Sequence, residues 1–215
     1  MTQKELNKVL ENHLHWLNKD CDGWEDMRAN LDGENLEGLN LNYAVLDRAS
    51  LNGARLKGAS LNYASLKNAS LNEAYLGYAS LNRVSLDNAS LDRASLIGAS
   101  LDRALLTYAS LEEATLNGAS LDYAYLKGAS LDKASLMLTS LHGASLDYAS
   151  LDGASLYKAS LISAWLNDAS LEDARLDEAV LDGASLVGAS LKGANIEGAS
   201  FEGANLDGVK NFPEM

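Results

Sequence analysis

Three histidines, one cysteine and a long succession of serines and carboxylates are the side chains here that could do chemistry. A nucleophilic serine needs a base within reach and a third group that orients the base. The combination that comes nearest is Ser140 with His142, beside Asp122 and Asp102. Nothing around those residues promises a pocket or a lid, so the expectation is no catalytic residues and no enzyme. His13 and His15 are two apart, which on a helix turns them away from a shared ligand. Cys21 has no second thiol to pair with, which removes an internal disulfide and a paired-thiolate metal site. No glycine-rich phosphate loop occurs. The expected cofactor and metal inventory is therefore empty.

The elements that would position any site are set by a repeat. From about Ala29 to Gly208 a five-residue unit recurs in one unbroken register, most often as Ala-Ser-Leu-x-x. Ala49-Ser50-Leu51, Ala99-Ser100-Leu101 and Ala149-Ser150-Leu151 show it. Leu holds the central position from Leu31 to Leu206, apart from Ile196 and Phe201, and a small residue stands two before it. Val84, Thr139, Glu34 and Leu39 break the small-residue rule. A fixed period of this length marks a repeat architecture.

Ala and Leu are strong helix formers. A helix, however, turns by about 500° over five residues, so successive leucines would scatter around every face. A straight strand fails too, because an odd period sends successive leucines to opposite sides. One geometry serves both residues: a short extended piece points the small residue and the Leu inward, and the chain then turns a corner. Repeated corners wind a coil, and coils stack at about 4.8 Å, the spacing of neighbouring strands. Each coil buries its leucines on its neighbours, and each end is an open sheet edge that needs a cover. Glycines at the last position of the unit, such as Gly53, Gly118 and Gly198, suit a corner with positive φ.

This pattern resembles the pentapeptide-repeat family, whose unit is Ala-(Asp/Asn)-Leu-x-x. Ala29-Asn30-Leu31, Ala194-Asn195-Ile196 and Ala204-Asn205-Leu206 match it closely. The stretch from His15-Trp16-Leu17 to Arg28-Ala29-Asn30-Leu31 resembles the lead-in of many bacterial members. The resemblance implies an all-β fold, a right-handed quadrilateral parallel β-helix with about twenty residues per coil and about nine coils. Here Ser replaces Asp or Asn before most centres, so hydrogen bonds from that position would come from a hydroxyl.

Ahead of the repeat, Thr2-Gln3-Lys4-Glu5 reads as a capping box. Leu6, Val9, Leu10, Leu14 and Leu17 follow at helical spacing, with His13 and Trp16 near the same face. Asp20, Cys21, Asp22 and Gly23 close the segment. The expected organisation is a helical cap over 1–27, the solenoid over 28–210 and a tail over 211–215. Val209 and Phe212 are the residues that could cover the far end, with Pro213 helping to stop the pattern. That end, the less covered of the two, is a candidate dimer surface, so a monomer or a C-terminal dimer is expected.

Lys and Arg number 17 against 30 Asp and Glu, a formal net charge of -13, which argues against direct nucleic-acid binding and allows a basic protein partner. Neither a signal-peptide pattern nor a long apolar run is present, so the cytoplasm is the expected compartment and no membrane contact is expected. With coils of twenty, one outward column reads Asp32, Asn52, Asn72, Asp92, Glu112, Asp132, Asp152, Glu172 and Lys192. Its acidic run, Asp92, Glu112, Asp132, Asp152 and Glu172, is a candidate contact for a basic partner or a self-repelling solvated face. A second column carries Ile97, Asn117, Met137 and Tyr157, with Tyr75, Tyr78 and Leu138 nearby, and the opposite face offers Leu105, Tyr125 and Trp165. Ile97, Met137 and Tyr157 complete the candidate interaction residues.

The reading is a non-enzymatic structural or protein–protein interaction rod. The alternative implied by the resemblance is an acidic mimic of DNA that binds a type II topoisomerase such as DNA gyrase and modulates it or protects it from quinolones. The C-terminal helical module and loops that accompany that activity in the family have no counterpart in this register.

Overall fold

The structure, a computed structural model, describes residues 1–212. It opens with helix α1, Gln3–Asn18. Thr2 caps α1 through the expected box: its hydroxyl accepts from the Glu5 amide, and the Glu5 carboxylate accepts from the Thr2 amide at 2.7 Å. The Thr2 amide, and the Thr2 hydroxyl 3.0 Å from the same carboxylate oxygen, favour the ionised form of Glu5 and lower its pKa. Lys19 ends α1 in the left-handed conformation, its N–H donating to the His15 carbonyl. A single 3₁₀ turn, Trp24–Asp26, leads into the repeat.

From Asn30 onward the residue before each centre pairs, in parallel, with the residue twenty further on: Asn30 with Ser50, Asn35 with Arg55, Asn40 with Ser60 and Val45 with Ser65. Four such columns, one per unit, run to the pairing of Ser190 with Lys210. A coil therefore takes twenty residues and has four sides, as the resemblance implies. Each side contributes one paired residue per coil, because the chain has already turned the next corner.

The corner is a β-turn. Its closing bond runs from the N–H of the small residue to the carbonyl of the preceding centre, as from Ala44 to Leu41 at 3.1 Å. The second residue after each centre adopts positive φ at every unit from Gly33 to Gly208. Gly takes this conformation freely, whereas Tyr63 (φ 60) and Leu138 (φ 59) are held in it by the coils on either side. No β-branched residue occupies the position anywhere in the repeat, since crowding at Cβ would be worst there.

Leu and Ala fill the interior as the period predicts. Every centre from Leu31 to Leu191 is at most 1 % exposed. Burying one such Leu contributes about 2 kcal/mol. Thr139 replaces Ala in this interior without leaving a bare hydroxyl, because its Oγ1 donates to the Leu116 carbonyl at 2.8 Å.

The first coil would present unpaired backbone groups to solvent, and the N-terminal segment covers them. The Gln3 side-chain amide accepts from the Asn40 N–H and donates to the Asn40 carbonyl, both at 2.9 Å, in the manner of one more strand. The N-terminal amine donates to the Asn35 carbonyl. Arg28 Nε donates to the Arg48 carbonyl at 2.7 Å. Leu6 enters the core fully, with Val9 and Leu10 packed beside it, while Leu14 is 43 % exposed. The apolar stripe of α1 is thus narrower than its leucines suggest.

At the far end the inter-coil bonding among the described residues stops at the Lys210 carbonyl, which accepts from Leu191. Phe201, Leu206, Val209 and Phe212 are only partly covered there, and the Phe201 and Phe212 rings meet edge to face at 5.5 Å. Pro213 and the remainder of the expected tail lie outside the described residues.

Candidate interaction surface

The acidic column forms as expected, but its carboxylates do structural work. Asp92 Oδ1 accepts from the Ser110 hydroxyl at 2.5 Å and from the Glu112 N–H at 3.1 Å, both in the next coil. Asp132 does the same for Ser150 and Asp152, and Asp152 for Ser170 and Glu172. These three aspartates are half-buried and not free on a solvated surface. Asn52 and Asn72 make the same two bonds, so the bonding needs an oxygen at that place and not a charge. Glu is one methylene too long: Glu112 and Glu172 reach only the hydroxyls of Ser130 and Ser190, at 3.3 and 3.1 Å. Glu112 is the exposed member of the run.

The amide that this oxygen serves explains the replacement of Asp or Asn by Ser before the centre. The residue after each centre has an N–H that the coil-to-coil backbone bonding leaves out. Where Asn precedes the centre, the unit serves itself: Asp32 N–H donates to Asn30 Oδ1, and Asp207 N–H to Asn205 Oδ1. At many units where Ser precedes it, an Asp or Asn after the centre of the previous coil supplies the acceptor instead, as Asp47 does for Lys67 and Asn62 for Asn82. The oxygen has moved two residues along the unit, and a bond within one coil has become a bond between coils.

The second predicted column is less continuous. Ile97 is exposed, Met137 and Tyr157 are half-buried, and Asn117 between them accepts from the Ser135 hydroxyl and the Met137 N–H. Tyr157 donates to Glu178 Oε1 at 3.2 Å and lies beneath the Lys158 ammonium. The Ser140 hydroxyl donates to Asp122 Oδ1, whereas the His142 ring stands edge-on to Tyr123 at 5.3 Å. Serine and imidazole are thus committed to different neighbours. At the end of α1, His15 Nδ1 meets Asp20 Oδ1 at 2.7 Å, with the Cys21 sulfur near both. The histidine hydrogen bond lowers the pKa of Asp20. The two-residue spacing of His13 and His15 gives no sign of this trio, which the turn after α1 brings together.

The side carrying Leu105, Tyr125 and Trp165 holds a group of exposed aromatic residues. Tyr125 is 54 % and Trp165 57 % exposed. Corner residues widen the patch: Tyr123 precedes Tyr125 at one corner, and Tyr108 and Tyr148 lie at the other. Two of these rings lie flat because the next coil has Gly beneath them. A Cβ on Gly128 would sit 2.5 Å from the Tyr108 ring, and one on Gly143 would sit 2.7 Å from Tyr123. Tyr123, Tyr125 and Trp165 enclose a shallow cleft of about 240 Å³ with Gly143 and Ser145. Cations lie over rings of the wider patch, with Arg103 5.9 Å from the Tyr123 ring centre and Lys127 5.4 Å from that of Tyr148. The acidic column occupies a corner that does not adjoin this side. The corner tyrosines were not grouped with Leu105, Tyr125 and Trp165 from sequence, although the Tyr–Gly spacing of twenty was readable. Among the described residues no helix is long and apolar enough to cross a membrane.

The chain resembles solved structures along most of its length. HetL, a pentapeptide repeat protein involved in heterocyst differentiation regulation in the cyanobacterium Nostoc, is 32 % identical, with 85 % of this chain and 89 % of that one covered and a TM-score of 0.47. QnrB1, a plasmid-mediated fluoroquinolone resistance protein, is 17 % identical over 85 % of this chain and 90 % of its own, with a TM-score of 0.53. A pentapeptide repeat protein of the Arabidopsis thaliana thylakoid lumen is 27 % identical over 52 % of this chain and 65 % of its own, with a TM-score of 0.36. No curated protein matches the chain by sequence. The family model for pentapeptide repeats matches residues 28–58, 69–107, 99–137, 134–173 and 174–210. Together those spans take in most of the stretch that the twenty-residue pairing winds into coils, and the chain belongs to the pentapeptide repeat family.

Proposed function

We propose that this protein is a non-enzymatic protein-interaction rod, a right-handed solenoid of about nine coils that meets its partner through the aromatic side. The observation that carries this reading is the cluster of Leu105, Tyr108, Tyr123, Tyr125, Tyr148 and Trp165 over neighbouring coils of one side. Exposed apolar residues scattered singly are ordinary, whereas a contiguous patch of several hundred Å² marks a contact site. Tyr and Trp are also the residues that most often dominate binding energy at interfaces. The backbone beneath them is pinned on both sides by neighbouring coils, so little conformational freedom is lost on binding.

The test is a photo-crosslinking residue placed at Tyr125 or, as a comparison, at Glu112 on the acidic corner. In extracts of the native host, the Tyr125 probe is expected to capture a defined protein that the Glu112 probe does not. Capture should disappear when Tyr123 and Trp165 are both changed to Ser. Equal capture from both positions, or none from Tyr125, overturns the aromatic reading.

One observation favours a second reading, the gyrase-directed DNA mimic: five carboxylates, from Asp92 to Glu172, stand one coil apart along a single corner. Contacts of that kind are steered by charge and weaken steeply with salt. Replacing the three aspartates by Asn and the two glutamates by Gln removes the charge, and the Asn side chains keep the inter-coil acceptors. Inhibition of gyrase supercoiling by the parent, lost in this variant, would establish the mimic. The interaction-rod reading expects no inhibition from either protein.

A further inference from the structure

We propose that His13 is an acid-released latch that fastens the N-terminal cap to the first coil. The ring is 0 % exposed, and both nitrogens have backbone partners. Nδ1 accepts from the Ala29 N–H at 3.0 Å, and Nε2 faces the Asp47 carbonyl at 3.1 Å. An amide N–H can only donate, so Nδ1 carries no proton; a carbonyl can only accept, so Nε2 carries one. These partners select one neutral tautomer of the imidazole and have no place for the imidazolium. A proton on Nδ1 would point at the Ala29 amide hydrogen. It would turn a hydrogen bond into a donor–donor contact in a buried site.

The two partners belong to different parts of the chain, which makes the ring a fastener. Ala29 is the small residue of the first unit, Asp47 sits in the first coil, and His13 lies on α1. The charged groups that face the ring act in opposite senses. The Asp47 carboxylate favours protonation, whereas Arg28, lying over Trp16 at 5.7 Å, opposes it. Trp16 stacks on His13 at 5.4 Å and adds no charge. Burial is the largest influence and lowers the pKa of His13 below the usual 6.5.

The linkage has a definite sign. The docked cap holds His13 neutral and the released cap frees it, so docking is fully stabilised above about pH 6.5. As pH falls from there toward the lowered docked value, docking weakens by about tenfold per unit. Release uncovers the Asp47 carbonyl together with the Asn35 carbonyl and both backbone groups of Asn40. Acidification thus opens the first coil as a sheet edge while the later coils stay intact.

Native-state hydrogen exchange on the full chain, read by NMR from about pH 8 to about pH 5, tests this. A His15→Gln background silences the neighbouring imidazole. Corrected for intrinsic exchange rates, protection of the Ala29 amide and of the α1 amides should fall as pH drops from 6.5 toward the lowered docked value, by up to about tenfold per unit, with mid-solenoid amides unchanged. His13→Gln supplies one acceptor and one donor that do not titrate, and should abolish the pH step. Should that variant fail to dock, the imidazole ¹⁵N shifts of the parent decide. A neutral ring protonated at Nε2 that titrates below 6.5 supports the latch. Flat protection across the range, a step that persists in a docked His13→Gln protein, or a ring titrating like a free histidine overturns it.

Discussion

Met137 stands in the same relation to Ser155 as Asn117 does to Ser135, yet only the second serine has a hydrogen-bond partner. Ser135 donates to Asn117 Oδ1 at 2.7 Å; the Ser155 hydroxyl is buried and unpartnered. The thioether is at best a weak acceptor and leaves a gap in the column. Met137→Asn should close it, with the new amide oxygen accepting from Ser155 and from the Tyr157 N–H. The expected outcome is a gain of about 1 kcal/mol in chemical denaturation. A loss of stability would show that Met137 packing outweighs the missing bond.

The inter-coil acceptors separate charge from hydrogen bonding in one pair of variants. Asp132→Asn keeps the oxygen that serves Ser150 and Asp152, and relieves repulsion along the corner, so stability should hold or rise slightly. Asp132→Ala removes the acceptor from a half-buried hydroxyl and an amide and should cost about 1–3 kcal/mol. Equal melting of the two variants would assign the column to charge alone.

Gly118 and Gly128 share the positive-φ corner conformation but not their surroundings. A Cβ on Gly118 meets open space, and one on Gly128 meets the Tyr108 ring. Gly118→Ala should therefore cost about 1 kcal/mol from backbone conformation. Gly128→Ala should cost more and swing Tyr108 outward, which a change in near-ultraviolet circular dichroism would report. Identical costs would mean that the ring moves freely.

Leu111 is fully buried in mid-array. Leu111→Asp places an unpaired charge between coils and should destabilise by several kcal/mol, measured by thermal unfolding. Parent-like melting would reverse the assignment of inside and outside.

Much of this architecture was legible because the five-residue period is strict. Leu111, Leu136 and their equivalents could face only one way, and the capping box of Thr2 and Glu5 formed as written. Three features escaped for one physical reason, that their partners are distant in sequence. Asp92 reads as a surface charge until Ser110 is placed eighteen residues away in the chain and 2.5 Å away in space. Tyr108 and Tyr148 read as isolated residues until the corners bring them beside Tyr125 and Trp165. His13 read only as one member of a helical stripe, because its two backbone partners belong to elements that the helix pattern does not specify.

The unbroken twenty-residue pairing has a consequence for how such a gene can change. Duplicating or excising twenty residues within the regular coils alters the length of the rod and returns every downstream side chain to its original side. Duplicating only five keeps Leu inside but carries everything downstream round by one side. Tyr125 and Trp165 would then share no column with a residue upstream of such an insertion that they now align with. Length and azimuth are therefore separate heritable variables in this molecule. A lineage can lengthen the rod without disturbing the aromatic side, or re-aim that side relative to the N-terminal cap in quarter-turn steps, while Leu and Ala still meet Leu and Ala in the core.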